Sequence, residues 1–233
     1  MSESKHKLVL LRHGESLWNK ENIFTGWIDI PLSDFGRTQA KEAGFLLKEN
    51  GFVFNMAFTS VLKRASETLE IVLQEMDLAF IPIEKVWQLN ERHYGLLQGM
   101  NKKEAVEKFG LEQVMAFRRG YRAKPPSLDK GSPPYTESLE DVYLRVIPFF
   151  HEKIEPLILQ GKNILISAHG NSLRALIKKL DNISDKDIEN LNIPLGIPLV
   201  YELNENLKPA KHYYLGDKNK VEEAIKAVES QVK

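Results

Sequence analysis

The chain has 233 residues, 42% hydrophobic and 27% charged, a composition that supports a sizeable core and excludes a disordered polypeptide. Lysine plus arginine and aspartate plus glutamate number 32 each, so no global field favours nucleic acid or an anionic membrane, and any anion site must be local. The absence of cysteine removes disulfides, thiolate nucleophiles and Cys-type zinc sites, and the lack of any roughly 18-residue apolar run or leader-like start predicts a soluble, cytoplasmic protein.

Leu8-Val9-Leu10-Leu11 is a short apolar run that reads as a buried parallel strand, with Arg12-His13-Gly14 at its end. Ser33 and Asp34 offer N-cap groups to an amphipathic stretch through Phe45-Leu46-Leu47, and Gly51 is its stop, which predicts a helix. Phe54 to Thr59 reads as a strand, Val61 to Glu75 as a helix with Leu62, Ala65, Leu69 and Val72 inward, and Ile81 to Trp87 as another strand. Asn101 with Glu104 has the form of a capping box for a polar helix reaching Phe109, and a second short helix carries Val114 to Arg119. Pro125, Pro126, Gly131, Pro133 and Pro134 are too many breakers for a helix or a central strand, so an exposed Pro-rich loop is expected over 124–135. Ser138 with Asp141 caps the next helix, whose interior Pro148 should kink it. Strand Asn163 to Ser167 then leads to His169-Gly170, and a helix follows over Ser172 to Leu180. Leu199 to Leu203 and Ala210 to Leu215 flank the turn Asn204-Glu205-Asn206, and a charged helical tail runs from Lys218. Strands alternating with helices predict an α/β fold: a mainly parallel central sheet, helices on both faces and an edge hairpin, in one domain spanning 1–233.

Open parallel sheets bind ligands beyond the carboxyl ends of their strands, so His13 and His169 are both expected at one pocket. One His-Gly after a strand is usually a turn; two, one of them flanked by Arg12, point to a phosphohistidine nucleophile with an arginine on the group transferred. Ser16, Asn19, Thr25 and Gly26 put hydroxyl, amide and glycine backbone donors close behind His13, as a phosphate cradle needs. Arg64, near the start of a helix, can reach the same phosphate as Arg12. Glu91 is a carboxyl group among arginines and histidines, suited to general acid–base work or, on the plainer reading, to a salt bridge.

The segments Leu11 to Asn19, Phe24-Thr25-Gly26-Trp27, Thr59 to Ala65, Asn90 to Gly95, Arg118-Arg119 and Ser167 to Arg174 together resemble the cofactor-dependent phosphoglycerate mutases of the histidine phosphatase superfamily, over nearly the whole chain. The resemblance implies that His13 is phosphorylated, that Glu91 moves the proton and that His169 stabilises the phosphoryl group in transfer. It implies phosphate contacts from Arg12, Asn19, Arg64, Gly170 and Asn171, and substrate contacts from Thr25, Gly26, Arg92, Tyr94, Lys102, Arg118 and Arg119. The activity implied is interconversion of 3-phosphoglycerate and 2-phosphoglycerate, primed by 2,3-bisphosphoglycerate, with no metal, nucleic acid or membrane partner and with a homodimer as the assembly. A phosphatase would use the same His13, Glu91 and His169 with water as acceptor, and a phosphate-binding scaffold would need none of them reactive. Between Arg119 and Thr136 the chain is shorter than the family's common bacterial pattern, which bears on loop closure and subunit contacts.

Overall fold

The computed structural model describes residues 6–128 and 135–230. Six strands form one sheet: β1 (His6–Arg12), β2 (Met56–Thr59), β3 (Ile83–Lys85), β4 (Ile164–Ala168), β5 (Pro198–Leu203) and β6 (Pro209–Tyr214), in the spatial order β3-β2-β4-β1-β5-β6. β3, β2, β4 and β1 run parallel, while β5 is antiparallel to β1 and β6 to β5, so the expected hairpin closes one edge. The helices are α1 (Leu17–Lys20), α2 (Asp34–Glu49), α3 (Lys63–Glu75), α4 (Lys102–Phe109), α5 (Leu111–Arg119), α6 (Leu139–Phe149), α7 (Glu155–Leu159), α8 (Gly170–Leu180) and α9 (Lys218–Glu229).

Alternation along the strands divides the core into two layers. Leu8 and Leu10 of β1, with Ile164 and Ile166 of β4, pack on Val142 and Val146 of α6 and Leu173 and Leu176 of α8. Val9 and Leu11, with Leu165, face the other way onto Ala40 and Leu47 of α2 and Leu69 and Val72 of α3. Each of these side chains is almost fully buried, and burial of a Val or Leu contributes about 1.5–3 kcal/mol. The chain leaves β1 for α2 on one face and leaves β4 for α8 on the other. These adjacent parallel strands therefore open a crevice at their carboxyl ends, the switch point of an open α/β sheet.

Local chemistry sets most boundaries. Ser33 accepts from Gly36 N at the start of α2, and Ser138 with Asp141 forms the expected capping box on α6. Asn101 accepts from Lys103 N to begin α4. Four expectations are corrected. The strand expected over Ile81 to Trp87 shrinks to Ile83–Lys85, because the chain turns into a 3-10 helix at Trp87–Leu89. The kink expected from Pro148 takes the form of a π-helical turn over Phe150–Ile154, which begins two residues after the proline that lacks an N–H. The helix expected from Ser172 begins two residues earlier, at Gly170, which makes His169 its N-cap. In the Pro-rich loop, Pro125 is buried and Leu96 N donates to the carbonyl of Pro126, so this part is anchored; Gly131, Pro133 and Pro134 lie outside the described residues.

α2 and α3 pack through Gly44, where a Cβ would sit 2.7 Å from Glu75 Cβ and 2.9 Å from the Val72 carbonyl oxygen. Helix propensity alone favours alanine over a mid-helix glycine by about 1 kcal/mol, whereas overpacking costs about 1–3 kcal/mol. Gly44→Ala is therefore expected to lower the thermal midpoint by several degrees, and a raised midpoint in calorimetry would show that the two helices separate freely.

Candidate active site

The pairing of β1 with β4 sets Arg12 beside Ala168, and His13 N donates to the Ala168 carbonyl at 3.0 Å. The next residue of each strand is then a histidine, and the two rings meet edge to face with centroids 5.0 Å apart. His13 Nδ1 donates to the Gly14 carbonyl oxygen at 2.7 Å. A carbonyl can only accept, so the proton sits on Nδ1 and the lone pair on Nε2. Burial, then the cations Arg64 and Arg12, hold the His13 pKa well below the usual histidine range, which keeps the ring neutral and nucleophilic. The turn is tight: a Cβ on Gly14 would lie 2.3 Å from the Gly36 carbonyl oxygen, and one on Gly36 would lie 2.0 Å from that of Glu15. These two glycines let the loop after His13 press against the start of α2.

His169 is fully buried, and its Nε2 shares a 2.6 Å hydrogen bond with Ser60 Oγ at the end of β2. Burial first, then Arg64, His13 and Arg12, depress its pKa as well. Its Nδ1 has no hydrogen-bond partner among the described residues. Its backbone N–H donates to Ser172 Oγ, which fixes the start of α8 and carries Asn171 to the pocket.

Glu91 arrives from the irregular segment after the 3-10 helix. Its Oε1 accepts from Arg92 N at 2.7 Å, Asn171 Nδ2 at 2.7 Å and Asn171 N at 3.2 Å. A Cβ on Gly170 would stand 3.6 Å from Glu91 Oε2 and 3.5 Å from Arg12 Cζ, so carboxylate and guanidinium flank the same glycine. Arg174, one turn further along α8, donates to Asn171 Oδ1 at 3.0 Å and so orients the amide that donates to Glu91. It also donates to the carbonyls of Arg119 and Ile188, tying the end of α5 to α8.

The pocket is dominated by cations. Arg64 Nη2 donates to the Gly26 carbonyl at 2.7 Å and Nη1 to Ile28, which fastens the loop carrying Thr25 and Gly26. Lys102 Nζ reaches Asn22 Oδ1 at 3.1 Å. Burial, with Arg118, Arg12 and Arg119 as close like charges, lowers the Lys102 pKa to about 7. Burial, with Arg119 and Arg12 nearby, pushes Arg118 down to about 10, and burial only partly offset by Glu91 and Asp29 does the same for Arg64. Buried like charges without a matching number of carboxylates repel one another until an anion enters. Arg12 Nε, buried and without a hydrogen-bond partner among the described residues, is a donor of the kind an anion satisfies.

The cavity brings together thirteen of the expected residues: Arg12, His13, Asn19, Thr25, Gly26, Arg64, Glu91, Tyr94, Lys102, Arg118, Arg119, Gly170 and Asn171. Three expected residues stand behind the wall. Ser16 caps α1 and accepts from Asn19 N; Arg92 stacks on the Tyr94 ring at 4.8 Å and donates to the Arg118 carbonyl; His169 backs His13. Sequence reasoning missed Arg174, Leu191, Ile193 and Val228, which also line the cavity. Arg174 stood within a quoted segment, at the i+3 position that faces Asn171 on a helix. Val228 belongs to α9, and Arg119 Nη2 donates to its carbonyl at 3.5 Å; nothing in a charged tail announces that contact.

The family profile described as histidine phosphatase superfamily (branch 1) matches residues 8–210. The chain is 51% identical to a 2,3-bisphosphoglycerate-dependent phosphoglycerate mutase of Borreliella afzelii over 245 aligned residues, covering 98% of this chain and 99% of the relative. Among solved structures, a putative alpha-ribazole-5'-P phosphatase of Escherichia coli superposes with a TM-score of 0.72 at 24% identity, covering 91% of this chain and 97% of the other. A phosphoglycerate mutase of Bacillus anthracis gives 0.65 at 24% identity, covering 95% and 97%. At that identity the two structures speak for the fold alone, and the fold is common to both. The chain belongs to branch 1 of the histidine phosphatase superfamily and, within it, to the 2,3-bisphosphoglycerate-dependent phosphoglycerate mutases.

Proposed function

We propose that the protein interconverts 3-phosphoglycerate and 2-phosphoglycerate through a phosphohistidine at His13. The observation that carries the reading is the neutral His13 ring, its Nδ1 proton tied to Gly14, in a pocket of cations shared, among the described residues, with a single carboxylate, Glu91. When bound, 2,3-bisphosphoglycerate would supply the phosphoryl group that primes this ring, and the buried donors of Arg12, Arg64, Lys102 and Arg118 suit so heavily charged an anion.

In the forward step Glu91 takes the proton of the substrate hydroxyl, whose oxygen forms a bond to phosphorus. The bond from phosphorus to His13 Nε2 breaks and its electron pair returns to the ring. Arg12 and Arg64 balance charge on the equatorial oxygens, and His169 supports the His13 ring from behind. Arg118, Arg119 and Lys102 retain the bisphosphate while it turns. His13 Nε2 then attacks the other phosphorus, and the carboxylic acid of Glu91 returns its proton to the leaving oxygen. The kinship with a phosphoglycerate mutase supports glycolysis and gluconeogenesis as the setting and the cytoplasm as the compartment. A homodimer, the expected assembly, would sediment at twice the 26.7 kDa chain mass.

Two experiments test this. In a coupled assay of 2-phosphoglycerate formation, added bisphosphate should raise the rate of dephosphorylated enzyme, and His13→Ala should abolish turnover and acid-labile labelling together. Nitrogen-resolved NMR should place the label on Nε2; a label on Nδ1, or one that persists in His13→Ala, contradicts the assignment.

The second concerns Lys102. Its pKa of about 7 lies below the ordinary 10.5, so at about pH 8 the side chain is largely neutral in the free enzyme. An entering anion favours the ammonium form, and binding should take up nearly one proton. The sign for folding follows: between about 7 and 10.5 the unfolded chain binds more protons at this group, so its contribution to stability rises with pH. Calorimetric titration of bisphosphate in buffers of different ionisation enthalpy should register the uptake, and Lys102→Met should remove it. Equal uptake in the variant would assign the proton to another group.

A further inference from the structure

We propose that Arg145, with Glu137, is a positioning residue for the reaction, fixing the Glu91 carboxyl by gripping the backbone that carries it. The proposal rests on the reading of Glu91 as the acid–base group.

Arg145 lies in α6, outside every segment on which the family resemblance rests. The chain from Glu91 to Tyr94 has no regular secondary structure, so its backbone groups find no partners in a ladder. One guanidinium supplies a partner for the Glu91 carbonyl and for two carbonyls just before it. Arg145 Nη1 donates to the Gln88 carbonyl at 2.6 Å, and Nη2 donates to those of Asn90 at 3.1 Å and Glu91 at 3.0 Å. Glu137 closes the loop. Its Oε1 accepts from Arg145 Nε at 2.8 Å, and its Oε2 accepts from Arg145 Nη2 at 3.0 Å and from His93 N at 2.8 Å. The ion pair thus brackets Glu91, holding carbonyls before it and an N–H after it.

Both side chains are nearly buried, at 8% and 5% exposure, and the cation stands beside the rings of Trp27 and Trp87, 5.9 and 6.0 Å from their centroids. Trp27 joins the same grip, since its Nε1 donates to the Glu91 carbonyl. The Glu91 carboxylate is fixed by separate donors, Arg92 N and Asn171, so it keeps its place only if the backbone at 91 and 92 stays in register with α8. A planar fork with donors on three nitrogens can hold three carbonyls and a carboxylate at once; an ammonium cannot. Misplacement of a reacting group by about 1 Å can cost 10²-fold in rate. A buried ion pair of purely architectural value would instead lower stability and leave turnover alone.

The test is a double-mutant cycle on the full chain, reading kcat, KM and thermal midpoint for Arg145→Lys, Glu91→Gln and their combination. Arg145→Lys keeps the charge and loses the fork. It should reduce kcat by about 10- to 100-fold with KM for phosphoglycerate changed less than about 3-fold, measured well below the midpoint. In the Glu91→Gln background the same substitution should cost less than about 3-fold, because no placed carboxyl remains to be disturbed. A lowered midpoint with unchanged kcat, or a kcat loss repeated in full in the Glu91→Gln background, would overturn the proposal. Near-normal kcat in Glu91→Gln alone would instead remove the acid–base reading, and this inference with it. Should Arg145→Lys fail to fold, Glu137→Gln, which keeps an acceptor for His93 N, takes its place in the cycle with the same expected pattern.

Discussion

The parallel pairing of β1 with β4, residue for residue up to Arg12 and Ala168, is the constraint on which the rest of the molecule depends. It makes two histidines far apart in sequence next-door neighbours, and it sends their following helices to opposite faces of the sheet. The crevice is a consequence of that divergence, and no side chain needs to be strained to open it. Because the period of a strand is two, a slip of one residue between β1 and β4 would turn Val9 and Leu11 toward the wrong helices. The two core layers therefore enforce the register that the chemistry uses.

Around that crevice the protein concentrates positive charge while its net charge is zero. Several of these cations are fastened by backbone carbonyls. Arg64 holds Gly26 and Ile28, Arg12 holds Ile193, and Arg174 holds Arg119 and Ile188. Carbonyls satisfy the guanidinium donors without cancelling the charge, which leaves the electrostatic attraction for an incoming anion intact. The depressed pKa values of Lys102 and Arg174, about 7 and about 9, express the cost of that arrangement in the free enzyme. Stability is given up locally and recovered in the two apolar layers beneath.

The relative from Borreliella afzelii aligns over 245 residues, more than the 233 of this chain, so it carries residues that this chain lacks. The sequence reading puts a shortening between Arg119 and Thr136. Before the undescribed residues the loop is tied to the site's own scaffold, Leu96 N donating to the Pro126 carbonyl, and after them Thr136 Oγ1 donates back to the Pro125 carbonyl. Glu137 follows at once and carries that anchorage to Arg145 and the Glu91 backbone. The loop and the carboxylate are mechanically joined.

The sequence by itself determined the fold class and most of the pocket. Apolar runs, caps and turn residues are local signals, and a histidine directly after a buried strand is placed by the strand. Thirteen of the sixteen expected residues line the cavity: strand ends account for Arg12 and His13, while Tyr94, Lys102, Arg118, Arg119, Gly170 and Asn171 were implied by the family resemblance. Only the tertiary structure decided the others. Ser16, Arg92 and His169 carry the right chemistry but face the wall, because a helix cap, a stacked tyrosine and the Ser60 hydroxyl claim them first. Arg145 and Val228 gave no usable warning, since their partners are carbonyl oxygens and cavity surface from distant segments. Every residue offers the same carbonyl, so no pattern of residue types can announce which one an arginine will find; packing the elements together is what makes that choice.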